Sequence, residues 1–185
     1  MTTLNNTITS TLGTDAIQDN SQHPVNVSAY QIPRERFAEI AKAIKIAGAR
    51  LVAEWATDES PLGRGFGIYA CYAKDSEYLI VKTYAPLEDP TFPSLTKKFV
   101  SAYRFERQMR SLMGVVPVGH PDPRPWIKHE DWPEGAYPLR KTFDASKAMP
   151  RVKGEYRFIK AEGEGVYEIP VGPVHAGIIE RSEKI

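Results

Sequence analysis

The feature that most restricts this chain is a proline-studded stretch near its middle. Six of the 15 prolines fall between Pro117 and Pro138, in VPVGHPDPRPWIKHEDWPEGAYPLRK (residues 116–141). Each proline fixes its own φ and lacks a backbone donor, so the stretch belongs neither to a helix nor to the middle of a sheet. Residues 119–141 make 23 residues of chain, which at about 3.3 Å each reach roughly 75 Å. A compact domain of about 100 residues has a radius of gyration of only about 13 Å. The stretch is therefore expected to be an arm that lies along another protein, its prolines reducing the entropy lost on ordering.

Composition excludes several classes. The 24 basic and 23 acidic residues leave a net charge of +1, which argues against nucleic acid or an anionic membrane surface as the main partner. No run of about 18 apolar residues is present to span a bilayer. The Thr/Asn-rich start has neither the basic segment nor the apolar core of a secretory signal. Cys71 is the one cysteine, so the chain forms no internal disulfide and suits a reducing compartment. Alone it holds no iron–sulfur cluster or thiolate-bound nickel, which need several thiolates. No phosphate-binding loop or nucleophile elbow appears. Gly63-Arg64-Gly65-Phe66-Gly67 leads into a strand pattern, so its glycines read as turn or bulge residues and NADH is not expected to bind here.

Residues 1–28 read as a polar, non-periodic and mobile leader. Pro33 suits the first position of a helix carrying Phe37, Ile40, Ala41 and Ile44 at helical spacing, with Gly48 as its stop. Three strand-like runs follow at residues 50–56, 66–73 and 78–84. In the second, Phe66, Ile68, Ala70 and Tyr72 alternate with Gly67, Tyr69, Cys71 and Ala73. Cys71 is expected to be a small core residue. Residues 74–77 make a short hairpin link, and Pro86, Pro90 and Pro93 mark residues 85–93 as a loop. Ser101 suits the N-cap of a helix ending near Met113. Ala102, Phe105, Met109 and Leu112 share one face of that helix. Glu106, Arg107 and Arg110 fall on the other, where spacing alone predicts a solvated face with a weak Glu106–Arg110 pair. The expected fold class is α+β, a small antiparallel sheet with covering helices, followed by the extended Pro-rich arm and a C-terminal β-hairpin.

The segments FPSLTKKFVSAYRFERQMRSLMGVVPVGHPDPRPW and DWPEGAYPLRK resemble the 30 kDa (C-type) subunit family of respiratory complex I. They also resemble the equivalent domain of energy-converting membrane-bound [NiFe] hydrogenases of the formate hydrogenlyase type. Glu106, Arg107, Gly114, Gly119, His120, Pro121, Asp122, Arg124, Pro138, Leu139, Arg140 and Lys141 match the pattern. Gln108 and Ser111 depart from it, where acidic residues are usual. The resemblance covers about residues 30–141, and HPDPRPWIKHEDWPEG, with Trp126 and His129, is closer to the hydrogenase branch. GEGVYEIPVGPVHAGIIE (residues 163–180) resembles the start of the large catalytic subunit of those hydrogenases. A hairpin of residues 166–171 and 175–180 across Gly172-Pro173 is expected there, with His175 near a partner's active-site cavity. No cysteine pair for nickel follows it.

The resemblance implies four regions: the leader (1–28), an α+β domain (29–114), a partner-binding arm (115–150) and the truncated start of a large-subunit-like domain (151–185). It implies a non-catalytic scaffold without a cofactor of its own. The NiFe centre and iron–sulfur clusters are expected in its partners, a [NiFe] or 49 kDa-type large subunit and the iron–sulfur subunits of the hydrophilic arm. The membrane is met only through the complex, at the cytoplasmic face of the inner membrane, and nucleic acid not at all. Glu106, Arg107, His120, Asp122, Arg124, Trp126, Trp132, Arg140 and Lys141 are the expected partner-binding residues. Arg124, Arg140 and Lys141 suit carboxylates or the helix C-terminal carbonyls of a partner, and Trp126, Trp132 and Tyr137 suit interface anchors. Asp122 is placed to fix Arg124 or His120 within the arm. Two alternatives stay open. One is the C-type subunit of NADH:quinone oxidoreductase itself. The other is a stand-alone metal enzyme using His120, Asp122 and His129, with Glu130 and Asp131 close by.

Overall fold

Strict alternation in residues 66–85 builds the frame on which everything else is hung. In the computed structural model, which describes residues 3–21, 23–128, 132–153 and 162–167, β3 (Arg50–Asp58), β4 (Phe66–Lys74) and β5 (Glu77–Ala85) form an antiparallel meander. Phe66, Ile68, Ala70 and Tyr72 point to one face and are fully buried. Cys71 points the other way and is only half-buried, so it is not the core residue expected of it. The period of two that buries Tyr72 excludes its neighbour.

The sheet is larger and less uniform than the sequence suggested. β2 (Val27–Gln31) lies parallel to β5 and β1 (Ile17–Gln18) antiparallel to β2, giving the order β1-β2-β5-β4-β3. The sheet is therefore mixed, not antiparallel throughout. Both extra strands come from or beside the segment read as a mobile leader. Its first half is a helix, α1 (Leu4–Leu12), on which Leu4, Ile8 and Leu12 are 1%, 0% and 5% exposed. These three residues repeat at i, i+4 and i+8 on one helical stripe. Thr and Asn between them are poor helix formers, so packing must supply the stability. The Thr3 side chain accepts from the Asn6 N–H at 3.2 Å, and the Leu4 N–H donates to Glu77 of β5 at 3.0 Å.

α2 (Phe37–Ile46) buries Phe37, Ile40, Ala41 and Ile44 completely, on the stripe their spacing predicted. α3 (Ala102–Met113) packs on β3 and ends at Gly114, whose φ of 71° is the left-handed turn that favours glycine. Ser101 does not cap it, having helical angles itself; its hydroxyl donates to the Leu51 carbonyl at 3.4 Å. Two short strands, β6 (Thr91–Pro93) and β7 (Val116–Val118), pair in parallel. Their prolines are tolerated because a two-stranded sheet is all edge. Residues 1–154 form one unit, so leader, sheet domain and arm fold together, and residues 155–185 form a second. Of the second, residues 162–167 hold a turn in which the Val166 N–H donates to the Gly163 carbonyl at 3.1 Å. The expected hairpin, with His175, lies outside the described residues, apart from Val166 and Tyr167.

Candidate functional site

The arm comes back onto α3, and the charged face of that helix receives it. Arg107 is 8% exposed. Its Nε donates to the Arg124 carbonyl at 3.1 Å and its Nη2 to the Pro125 carbonyl at 2.8 Å. Arg110 donates to the Pro123 carbonyl at 2.6 Å. The Trp126 and Ile127 N–H groups reach the Ser111 hydroxyl at 3.4 and 3.5 Å. A proline-rich strand offers carbonyls without matching N–H donors, so arginines on the facing helix are its natural partners.

A tighter knot sits at the start of the arm. Asp122 accepts from Tyr103 and from Arg124, whose fork donates at 2.8 and 2.7 Å. Arg107 lies 3.3 Å away. The Arg124 fork, the Tyr103 hydroxyl and the Arg107 charge hold the Asp122 carboxyl far below the usual carboxylate range. His120 accepts the Asp122 N–H on Nδ1 at 3.0 Å, and its Nε2 lies 3.1 Å from the Tyr103 carbonyl. Of the two residues that Asp122 was expected to fix, Arg124 or His120, its carboxylate holds Arg124, and His120 is met only by the Asp122 backbone N–H.

Glu106 points inward instead. It is completely buried and accepts from the Ser94 hydroxyl at 2.5 Å, the Thr96 hydroxyl at 2.8 Å and the Leu95 N–H. The expected solvated face with its Glu106–Arg110 pair is thus replaced by an interior network that ties α3 to residues 94–96.

The far end of the arm returns across Gly114. Arg140 donates to the Met113 carbonyl at 2.7 Å, its guanidinium 4.3 Å from the Tyr137 ring centroid and 5.0 Å from that of Phe66. It satisfies a helix C-terminal carbonyl as expected, but that helix is α3 of its own chain. A Cβ on Gly114 would fall 2.6 Å from both Arg140 Nη2 and Tyr137 Cζ. The Lys141 N–H donates to Asp58 at the end of β3 at 2.7 Å. Burial alone would push the Asp58 carboxyl up, but hydrogen bonds from Ser60 and Lys141, with the Arg140 charge, bring it down.

These contacts sort the expected partner-binding residues. Glu106, Arg107, His120 and Asp122 make their described polar contacts within the chain. Arg124 is bound to Asp122 on one side, yet its side chain is 79% exposed. Trp126 is 44% exposed under the guanidinium groups of Arg104 and Arg107, at 4.9 and 5.2 Å. The Lys141 side chain is exposed and Leu139 is 53% exposed. Trp132 is half-buried, its indole N–H on the Ala136 carbonyl at 2.9 Å. A metal reading loses its described ligands, because both His120 nitrogens and the Asp122 carboxylate are already engaged. His129, Glu130 and Asp131 lie outside the described residues. Sequence reasoning passed over Tyr103, Asp58 and Ser111. Spacing offers no hint of partners that distant in the chain, although Ser111 was flagged as a departure from an acidic pattern.

The opposite face of the sheet holds a cavity of about 400 Å³. Trp55 stacks on Tyr69 at 5.1 Å, and Lys82 lies over the Tyr69 and Tyr84 rings and 3.4 Å from Glu59. Its central charges are paired with one another.

Fold and site together define a small α+β domain with a proline-rich segment ordered along one helix. Among the described residues, no group of three or more His, Cys, Asp or Glu is placed to hold a metal ion. Residues 30–149 match the model of the respiratory-chain NADH dehydrogenase 30 Kd subunit family, and the chain belongs to that family. Hydrogenase-4 component G of Escherichia coli is 32% identical over 124 residues, 64% of this chain and 22% of that protein. NADH-quinone oxidoreductase subunit 5 of Thermus thermophilus is 33% identical over 140 residues, 69% of this chain and 66% of that protein. The chain therefore spans about a fifth of the first relative and just under two thirds of the second. A solved trypsin-resistant fragment of Nqo5 superposes with a TM-score of 0.55 at 24% identity, covering 64% of this chain and 98% of that one. The family's subunits occur both in NADH-quinone oxidoreductases and in membrane-bound hydrogenases. Among the described residues, no helix is long and apolar enough to cross a membrane.

Proposed function

We propose that this chain is a non-catalytic assembly subunit of an energy-converting [NiFe] hydrogenase complex. In this reading it joins the large subunit to the iron–sulfur subunits at the cytoplasmic face of the inner membrane, and the NiFe centre and clusters reside in those partners. The observation that carries it is the locked arm. Arg107 and Arg110 donate to carbonyls of the arm, its Arg140 donates to the Met113 carbonyl and its Lys141 N–H to Asp58. These contacts occupy the arm's inner side and leave Arg124, Trp126, Leu139 and the Lys141 side chain on its outer side. A surface ordered before binding loses little entropy on association, and aromatic and arginine anchors carry most interface energy. The likeness to hydrogenase-4 component G favours the hydrogenase branch.

The test is affinity purification of the tagged chain from its native cells in mild detergent, with mass spectrometry of what accompanies it. A [NiFe]-type large subunit with iron–sulfur and membrane subunits is expected, and Trp126→Ala combined with Lys141→Glu should lower their yield at least about tenfold. A folded chain purified alone would overturn the reading. Deleting the whole arm is a poor test, since it would uncover Arg107, Gly114 and Asp58 of the domain itself. The likeness to Thermus subunit 5 supports a second reading, a respiratory NADH-quinone oxidoreductase. Recovery of a flavin-containing NADH-oxidising module would select it.

A further inference from the structure

A second carboxylate lies under α3, and nothing among the described residues answers it. Glu54 of β3 is 4% exposed, and neither of its oxygens has a hydrogen-bond partner. It lines a cavity of about 110 Å³ between β3 and α3. Phe105, Met109 and Met113 wall this cavity, and the exposed Gln108 and Leu139 stand at its rim. No Lys, Arg or His lines it. The titratable groups acting on Glu54 from the packed elements are Glu106 of α3 and Tyr72 of β4. Both are acidic and neither can neutralise it. Burial, reinforced by the Glu106 charge, pushes the Glu54 carboxyl well above the ordinary glutamate range.

We propose that this cavity is a socket for an arginine side chain of a partner subunit, with Glu54 as its counter-ion. Two orphaned oxygens on one carboxylate match the two parallel N–H donors of a guanidinium fork, which a single ammonium does not. The Phe105 and Met walls suit the methylene stem of such a side chain. Leu139 and Trp55, 53% and 36% exposed, offer an apolar rim that a partner would cover. The volume admits a guanidinium head, or roughly three to four waters at about 30 Å³ each. Both Glu54 oxygens are closed off in the free chain, so the Glu54 side chain turns into the cavity when the arginine enters. Seating the arginine favours the ionised Glu54 carboxylate, so assembly is linked to release of its proton. The inference rests on the assembly reading above but not on which branch the complex belongs to.

The chain has four methionines, of which Met109 and Met113 wall the cavity, so methyl-labelled methionine reports on it directly by NMR. Propylguanidinium titrated into the full chain should shift the Met109 and Met113 methyl signals saturably and leave those of Met1 and Met149 in place. Affinity should rise with pH by up to about tenfold per unit, because binding competes with the Glu54 proton. Glu54→Gln, with an otherwise unchanged methyl spectrum, should abolish the shifts. Shifts that persist in Glu54→Gln, or no shift of Met109 and Met113 in the wild type, would overturn the socket and leave a water-filled cavity. Purification from native cells separates the two readings. Equal partner yield with Glu54→Gln overturns the socket alone, whereas a wild-type chain recovered without partners overturns the assembly reading whatever propylguanidinium does.

Discussion

Two glutamates under the same helix are treated in opposite ways. Glu106 and Glu54 are 0% and 4% exposed, and both belong to the layer between α3 and the sheet. Glu106 meets two hydroxyls and a backbone N–H from residues 94–96, which fill its lone pairs in a dry place. Glu54 finds no hydrogen-bond partner among the described residues. A buried carboxylate costs several kcal/mol unless its lone pairs are filled. The difference teaches that burial by itself says little about what a carboxylate does. The Glu106 site is finished among residues 94–96 and holds α3 in place, whereas Glu54 is closed off without a partner beside a cavity whose rim Leu139 and Trp55 expose.

The sharpest way to break this contrast is at Glu106. Glu106→Ala strands the Ser94 and Thr96 hydroxyls and the Leu95 N–H and opens a void, so urea denaturation should show a loss of about 4 kcal/mol. A loss no larger than that of an exposed substitution would erase the distinction between the two sites. Glu54→Leu should act in the opposite direction, leaving the isolated chain as stable or more stable by about 1–2 kcal/mol near neutral pH. The sign with pH follows from linkage. A carboxyl raised in the folded state binds its proton more tightly than in the unfolded chain. Its stability contribution is complete below the unfolded value and is lost as pH rises towards the folded one. Wild-type stability should therefore decline as pH rises above the ordinary glutamate range, and Glu54→Leu should flatten that decline. The smallest effect concerns a neighbouring orphan. Thr83 is 1% exposed and its hydroxyl has no partner, so Thr83→Val should raise stability by about 1 kcal/mol in the same denaturation assay.

The three meander strands and α2 were legible in the sequence because their signals are local. Alternation in residues 66–73 and the stripe of Phe37, Ile40, Ala41 and Ile44 each state a periodicity within a dozen residues. α1 was less legible. Its stripe consists of Leu4, Ile8 and Leu12 alone, set among Thr and Asn that argue for disorder until a sheet is present to receive them. The parallel pairing of β2 with β5 joins residues about 50 apart in the chain, and no short-range pattern encodes it.

At the site, the sequence singled out the stretch, and the structure shows which residues of its own chain it also meets. The prolines of residues 117–138 excluded helix and central sheet, and the family motif marked Glu106, Arg107, His120, Asp122, Arg124 and Arg140. What the motif does was decided only by tertiary structure. Lys141 reaches Asp58 across 83 positions, Arg140 closes the C-terminus of α3, and Arg107 is buried by carbonyls that arrive from the arm. The physical reason is that periodicity and proline chemistry act on the nearest few residues, so a single sequence states them outright. Which charge is buried, and by what, depends on where a distant segment comes to rest, and only the folded chain fixes that.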